Sequence, residues 1–184
     1  MQANWFVGMP VAAGDWFDPL LADAPASLRR FHPDDLHMTV AFLGACGSGR
    51  AKAAFATAEG HDASAFRIEL DRLVPMGDPR RPSALSALVA EGHDEAVAIM
   101  DTLRPTMWRA AEAKPDGRPA KPHITVARPP RRAGASERRA AIEWAASKPP
   151  IGVTLTIDRL CLYTWSEDRR LRQFRVVDEV PLLP

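Results

Sequence analysis

Two short segments, residues 36–44 and residues 121–128, decide the fold, and they read LHMTVAFLG and KPHITVAR. Both contain a histidine, an apolar residue, a threonine and a valine in that order, and both are rich in residues that favour β-structure. In a strand, side chains two positions apart point to the same face. Each motif therefore places an imidazole and a hydroxyl on one face and anchors its apolar residues in a core on the other.

Two such strands facing each other would present two titratable rings and two hydroxyl groups to one small ligand. Histidine exchanges its proton readily near neutral pH. One ring can therefore take a proton from an attacking water while the other gives a proton to a departing oxygen. Threonine hydroxyls and an arginine can hold the non-bridging oxygens of a phosphoryl group. This scheme requires no metal, and the local pattern lacks the acidic cluster that a magnesium site would need.

The composition predicts one soluble domain. The chain has 184 residues, of which 46% are hydrophobic, and this length supports a sizeable core. The net charge of +1 gives no general attraction to nucleic acid or membrane, so attraction to an anion must come from local arginine clusters. Cys46 and Cys161 do not make a disulfide framework, which favours a reducing, cytoplasmic setting. The apolar run 5–13 lacks a preceding basic residue and makes a poor signal peptide.

The order of predicted elements mixes strands and helices. Hydrophobic periodicity and breaker residues predict strands at 4–11, 36–43, 66–73, 84–90, 123–127, 153–164 and 173–180. They predict helices at 22–30, 51–59, 94–113 and 136–147, with a loop at 75–82. We expect Pro105 to kink or split the third helix, and Ser136 to cap the fourth. By simple alternation Phe42 faces away from His37, which favours a place in the core over a base-stacking role. The core is also the default location for Trp5, Trp108, Trp144 and Trp165. The alternative for Tyr163 and Trp165, near the end of a strand, is stacking on a nucleobase.

The two motifs resemble the signature of the two-histidine (2H) phosphoesterase superfamily. Residues 35–44, DLHMTVAFLG, resemble the first motif of the LigT-like RNA 2′,3′-cyclic phosphodiesterases, and residues 122–128, PHITVAR, resemble their second. A single His-x-Thr would be a weak signal, whereas two copies at this separation with these flanks are specific. The order of elements and the length are also similar, so the likeness covers most of the chain.

The resemblance implies an α+β fold with two lobes, each an antiparallel sheet with outer helices, in a pseudo-two-fold arrangement around a central cleft. Residues 1–184 would form a single 2H phosphoesterase domain, with the motif strands near 36–43 and 123–127. The implied activity is metal-independent hydrolysis of RNA 2′,3′-cyclic phosphate ends to a 2′-phosphate. No cofactor is implied, and the partners are RNA 3′ ends or small cyclic nucleotides, with no membrane and a monomeric protein.

The resemblance also implies the roles of individual residues. His37 and His123 match the catalytic pair, and Thr39 and Thr125 match the hydroxyls that bind the substrate phosphate. Arg128 matches an arginine that follows the second motif in this family. In an unbroken strand Arg128 would face away from His123, so we expect the strand to end or twist there. The division of acid and base roles stays open, with His123 as base and His37 as acid for the working assignment.

Other functions fit the same residues. A 2H enzyme could act on 2′,5′-linked oligonucleotides or on small cyclic phosphates such as those derived from ADP-ribose, because the four residues address the phosphate and not the base. A non-catalytic RNA- or nucleotide-binding protein would bind tightly without turnover. A metal hydrolase with histidine ligands would be inhibited by EDTA. Six further arginines could contact an RNA backbone, but a solvated helix or loop face explains them at least equally well, so they are left out of the site: Arg80, Arg81, Arg131, Arg132, Arg138 and Arg139.

Overall fold

The structure is a computed structural model and describes residues 2–184. The strands are β1 (Trp5–Pro10), β2 (Arg29–Arg30), β3 (His37–Gly44), β4 (Phe66–Asp78), β5 (Arg81–Val89), β6 (His123–Arg128), β7 (Thr154–Ile157), β8 (Arg159–Trp165) and β9 (Phe174–Pro181). The helices are α1 (Phe17–Leu21), α2 (Ser48–Ala56), α3 (His93–Ala110) and α4 (Ala135–Ser147), with a short 3₁₀ turn at Pro33–Asp35. No helix in the described part of the chain is long and apolar enough to cross a membrane.

The strands form one antiparallel sheet in the order β7-β4-β5-β6-β3-β1-β8-β9, with β2 pairing on β6. The two motif strands, β3 and β6, are the central neighbours and are joined by one pair, Met38 opposite Ile124. On either side of this seam lies a four-stranded half, β6-β5-β4-β7 and β3-β1-β8-β9. The predicted α+β fold, with two antiparallel halves and outer helices, is confirmed, and the motif strands lie side by side at its centre.

The sheet curls because the chain passes directly from its edge strand β7 to β8, the strand next to its other edge. The predicted single strand at 153–164 is wrong. It is divided at Asp158 into β7, which pairs with β4, and β8, which pairs with β1. One residue spans only a few ångströms, so the β7 edge of the sheet must approach β8 near the opposite edge. The backbone oxygen of Asp158 accepts a hydrogen bond from Leu182 N at 2.8 Å, which fastens the end of the chain to this crossing.

Helix α3 packs against β3 with an apolar face spaced for a helix. Its buried residues are Ala96, Ile99, Met100, Leu103 and Met107. Pro105 does not split this helix, because α3 runs unbroken through it, and a kink there stays a prediction. Pro105 and Asp101 are both exposed, so water can bond the carbonyl that the proline leaves without an amide partner.

Three local predictions fail because their residues take part in pairing or capping. The predicted helix at 22–30 is wrong, since α1 ends before it and β2 at its end pairs with β6. The predicted loop at 75–82 is a tight hairpin, because Asp78 Oδ1 accepts from the amides of Arg80 and Arg81 at 2.8 and 3.2 Å. Ser136 lies inside α4, whose N-cap is Gly134, and the Gly134 amide donates to Glu137 Oε2 at 2.7 Å.

Candidate active site

The two motifs meet at the centre of the sheet. Strands β3 and β6 run antiparallel with Met38 opposite Ile124, and both of these side chains are fully buried. This register places each motif histidine beside the threonine of the other motif. In both strands the histidine and the threonine are half-buried, whereas the apolar residues between and after them are buried. As predicted, each motif therefore presents its histidine and threonine on one face and buries its apolar residues on the other.

Each motif strand carries a β-bulge at its valine. Thr39 and Ala41 pair with consecutive residues of β1, so Val40 is an extra residue in the ladder. The same irregularity in the pairing of β6 with β5 leaves Val126 as the extra residue. A bulge shifts the alternation by one position, so residues beyond it change faces. The fifth residue after each histidine is thereby returned to the face of that histidine.

The bulges explain the positions of Phe42 and Arg128. The prediction that Phe42 belongs to the core is wrong, because its side chain is 55% exposed and lines the cleft together with His37. Arg128 lies in the same cleft, and the irregularity expected between it and His123 is the bulge. Phe42 and Arg128 therefore occupy equivalent places in the two halves, one apolar and one cationic.

His37 is held in an aromatic enclosure. Its ring lies 4.6 Å from that of Phe6, 5.3 Å from Tyr163 and 5.5 Å from Phe174, measured between centroids. Its Nδ1 is 2.7 Å from the backbone oxygen of Asp35, so Nδ1 carries the proton and Nε2 is left for a ligand. Burial is the main cause that lowers the pKa of His37 to about 4, and nearby positive charges contribute less. The free protein therefore holds this ring neutral at pH 7.

His123 repeats the same hydrogen bond in a more open setting. Its Nδ1 is 2.6 Å from the backbone oxygen of Lys121, again two residues earlier in the chain, so Nε2 is the nitrogen left for a ligand. Burial lowers the pKa of His123, and the charges of Lys121, Arg104 and Arg118 act in the same direction. A negatively charged ligand would oppose these charges and favour the protonated ring.

The two threonines differ in what lies beside them across the strand. Thr125 Oγ1 is 3.1 Å from the hydroxyl oxygen of Ser86, a fully buried residue that the sequence prediction missed. Thr39 pairs instead with Gly8, and its hydroxyl has no hydrogen-bond partner within the part of the chain that the structure describes. A Cβ on Gly8 would lie 3.1 Å from a backbone oxygen and 3.4 Å from the His37 ring, so glycine provides the space for that ring.

Arg128 is a half-buried cation without a charged partner. Its guanidinium carbon lies 5.2 Å from the centroid of the Phe31 ring, and its Nε is buried with no hydrogen-bond partner among residues 2–184. Burial lowers the pKa of Arg128, and the nearby charge of Arg29 adds to this effect. An orphaned buried donor beside a second cation is the environment that an anion would complete.

The cleft has a volume of about 890 Å³, and its polar lining is cationic. His37, Thr39 and Arg128 line it, whereas His123 and Thr125 stand on the adjoining strand outside its lining. None of the described residues that line it is acidic, and no cluster of potential metal ligands is found within residues 2–184. Six arginines line the cleft: Arg29, Arg81, Arg128, Arg131, Arg138 and Arg169.

Sequence reasoning missed most of this lining. No local pattern singles out Arg29 or Arg169, and Arg81, Arg131 and Arg138 are left out of the predicted site although they line the cleft. The predicted core position of Trp165 is also wrong, because it is half-buried and lines the cleft. Of the other tryptophans predicted in the core, Trp5 and Trp144 are buried, whereas Trp108 is half-buried.

Comparison with solved structures gives the same fold at low sequence identity. Escherichia coli LigT complexed with NADP+ matches with a TM-score of 0.76 and 22% identity, over 100% of this chain and 99% of that chain. The protein TT0787 of Thermus thermophilus matches with a TM-score of 0.72 and 19% identity, over 97% of both chains. Kluyveromyces marxianus Usb1 matches more distantly, with a TM-score of 0.57 and 10% identity over 98% of both chains.

Comparison of the sequence with known protein families shows which family the chain belongs to. The chain has no significant match among curated proteins. The model of the 2′-5′ RNA ligase superfamily matches residues 17–169, which is well over half of the chain. The resemblance drawn from the two motifs is thereby confirmed, and the protein belongs to the 2′-5′ RNA ligase superfamily, a group of 2H phosphoesterases.

Proposed function

We propose that the protein hydrolyses 2′,3′-cyclic phosphate ends of RNA to 2′-phosphates by acid–base catalysis with His37 and His123, without a metal. The observation that carries this proposal is the paired geometry of the histidines. Both stand at the start of adjoining central strands, and both tie Nδ1 to the backbone oxygen two residues earlier. Two Nε2 atoms are thus left for proton transfer at one phosphoryl group.

The surroundings of the two rings support an assignment of their roles. Both rings are neutral in the free protein, but burial lowers the pKa of His37 to about 4 and makes it the harder ring to protonate, whereas a substrate phosphate can favour protonation of the more open His123. We therefore assign His37 as the base and His123 as the acid, the reverse of the working assignment made from sequence. The Nε2 of His37 takes a proton from water as its oxygen bonds to phosphorus. The P–O3′ bond then breaks, and protonated His123 gives its proton to O3′, which leaves a 2′-phosphate.

Three side chains would stabilise the charge that builds on the non-bridging oxygens. Thr39 and Thr125 supply hydroxyl donors, with Ser86 orienting the second of them at 3.1 Å. Arg128 supplies a cation whose buried Nε has no other partner among the described residues. Donors positioned in advance where charge develops contribute strongly to catalysis, because they need no reorganisation during the reaction.

The family description favours a second candidate function at the same site, the making or breaking of 2′,5′-linked RNA. The same histidines would serve it, because attack by a 5′-hydroxyl on the cyclic phosphate replaces attack by water. Incubating the protein with two RNA fragments, one with a cyclic phosphate end and one with a 5′-hydroxyl, measures joined product against hydrolysed product. A joined product that exceeds the hydrolysed one would transfer the proposal to ligation.

The test is turnover of a short RNA with a 2′,3′-cyclic phosphate end and of 2′,3′-cyclic nucleotides, with EDTA present throughout. We expect wild-type turnover, and losses on the order of 10²- to 10⁴-fold in His37→Ala and in His123→Ala. His93→Ala is the matched control, because His93 lies at the exposed start of α3 outside the cleft lining. Absence of wild-type turnover would contradict the proposal, and tight binding of the same RNA would then favour a non-catalytic nucleotide-binding protein.

A further inference from the structure

Two arginines stand side by side on the sheet at the edge of the proposed site. Arg29 in β2 is the direct cross-strand partner of Arg128 in β6, and both line the cleft. Direct antiparallel partners have their Cβ atoms about 5 Å apart, and like charges at such a pair are destabilising. Folding therefore brings two cations together at a cost that a bound anion would offset.

A third arginine, Arg169, extends the pair of Arg29 and Arg128 into a cationic wall of the cleft, on the side away from Arg128. The charge of Arg169 lies near enough to Arg29 that, after burial, it is the next cause that lowers the pKa of Arg29. The guanidinium carbon of Arg169 is 4.2 Å from the centroid of the Trp165 ring, and both residues line the cleft. Guanidinium groups beside an aromatic ring in a cleft suit a nucleotide, which offers both phosphate and a flat base.

The charges on this wall are not neutralised by salt bridges. Arg29, Arg128 and Arg169 make no ion pair with any residue in 2–184, and Arg29 donates to the neutral Gln173 Oε1 at 2.6 Å. The carboxylate of Asp35 is close enough to Arg29 to raise the pKa of that arginine. Asp35 is already engaged, since its oxygens accept from the amides of Gln173 and Phe174 at 2.6 and 3.1 Å. The wall therefore has donor capacity left for a second anion.

We infer that Arg29 and Arg169 form a second phosphate subsite beside the catalytic one, so that the substrate is an RNA end with a further phosphate and not a nucleoside cyclic phosphate alone. This rests on the proposed function, in which the first phosphate lies against His37, Thr39 and Arg128. The subsite takes the phosphodiester immediately upstream of the cyclic end, with Trp165 on the same wall. An arginine fork suits a phosphodiester because it donates two parallel hydrogen bonds.

The kinetic test compares three substrates: adenosine 2′,3′-cyclic phosphate, the same compound with a 5′-phosphate, and an adenosine dinucleotide with a cyclic end. We expect wild-type kcat/KM to be at least about tenfold higher for the dinucleotide than for the compound with one phosphate, which is the effect of one charge-assisted contact. In Arg29→Gln and Arg169→Gln this ratio falls towards one. An equal gain from the 5′-phosphate alone also supports the subsite and shows that a terminal phosphate satisfies it.

Arg139→Gln is the matched control, because it removes the same charge from an exposed position on α4 outside the cleft lining, and it should keep the wild-type ratio. A wild-type ratio near one, or a ratio unchanged in both cleft variants, would overturn the inference while the proposed function stands. If no substrate is turned over, binding affinities measured by calorimetry test the subsite independently of the proposed function. Wild-type protein should bind adenosine 3′,5′-bisphosphate about tenfold more tightly than adenosine 3′-phosphate, and Arg29→Gln should lose that preference. Equal affinities would overturn the inference.

Discussion

At the scale of single residues, the two catalytic candidates make the same hydrogen bond in different surroundings. His37 lies among the rings of Phe6, Tyr163 and Phe174, whereas His123 lies near cationic side chains at a more open position. Desolvation disfavours the charged form of a ring, and nearby cations disfavour it further. Both rings are therefore neutral in the free protein at pH 7, and we expect the substrate phosphate to supply the charge that protonates one of them.

The enclosure of His37 predicts a pH-dependent stability. Its pKa is about 4 in the folded protein and about 6.5 in the unfolded chain. Between these values the unfolded chain binds a proton that the folded protein does not, so the free energy of unfolding decreases as the pH falls from about 6.5 to about 4. His37→Gln should remove about 2 kcal/mol of this decrease, less than the full shift implies because the ring is partly exposed.

Urea denaturation of wild type and His37→Gln at pH 7 and at pH 4.5 measures this difference. His93→Gln provides the comparison, because the His93 side chain is 44% exposed and stays in contact with water. Equal pH dependence in wild type and His37→Gln would contradict the account of a desolvated, neutral ring.

Arg128 predicts an opposition between stability and activity. Replacing it by methionine removes a half-buried guanidinium with an orphaned Nε and relieves its repulsion with Arg29, at the loss of the contact with Phe31. We expect the free energy of unfolding to rise by about 1 kcal/mol. We expect kcat/KM to fall by about 10²-fold, because the cation that stabilises the substrate phosphate is lost. Arg175→Met, at an exposed position on β9, should change neither quantity appreciably, and a destabilised Arg128→Met would contradict the account.

At the scale of elements, the bulges in β3 and β6 set the composition of the site. Each bulge leaves a valine carbonyl outside the ladder of its own strand pair, and each carbonyl has found a donor. The oxygen of Val40 accepts from Arg104 Nε at 2.6 Å, and that of Val126 accepts from Phe31 N at 2.9 Å. Helix α3 also holds β3 beyond the bulge, because Trp108 Nε1 donates to the oxygen of Phe42 at 3.2 Å.

The contact between α3 and the bulge predicts the effect of Arg104→Met. The substitution keeps the aliphatic stem and leaves the Val40 carbonyl without its donor. We expect the free energy of unfolding to fall by about 1–2 kcal/mol, as measured by urea denaturation, because an unsatisfied carbonyl is costly. Arg109→Met, at an exposed position on the same helix, should cost less than about 0.5 kcal/mol. Equal losses in the two variants would show that Arg104 does not support the bulge.

The same bulges mark the limit of prediction from sequence for these elements. The strands that carry His37 and His123, and the shared face of each histidine with its threonine, could be predicted because alternation is a local property. Phe42 could not be placed, because the extra residue at Val40 arises from the pairing with β1. The division of residues 153–164 at Asp158 was equally hidden, because both parts alternate as strands and only their distant partners separate them.

At the scale of the whole molecule, the charge is distributed unevenly. The chain carries 24 basic and 23 acidic residues, yet six arginines and none of its described acidic residues line the cleft. The sequence could predict that local clusters must attract an anion. It could not predict which arginines do so, because Arg29, Arg81 and Arg169 come from separate segments that only the curled sheet brings together.

This distribution predicts a strong dependence of activity on salt. If arginines hold two phosphates, as we propose, log kcat/KM for a short RNA should fall linearly with log salt concentration, by several-fold between about 50 and 200 mM, because bound counterions are released on association. The dependence should be weaker for adenosine 2′,3′-cyclic phosphate, which has one phosphate. Initial rates over a series of potassium chloride concentrations measure both slopes. Equal slopes for the two substrates would contradict a cleft that binds more than one phosphate.

The measurement that tests the central claim most directly is ³¹P NMR of an RNA dinucleotide with a 2′,3′-cyclic phosphate end, incubated with the protein in EDTA. The account predicts that the cyclic phosphate resonance is replaced by that of a 2′-monophosphate. It also predicts that neither His37→Gln nor His123→Gln gives product over the same time. An unchanged cyclic phosphate with the wild-type protein, or full activity in either variant, would contradict hydrolysis by this histidine pair, and a 3′-monophosphate would contradict cleavage of the P–O3′ bond.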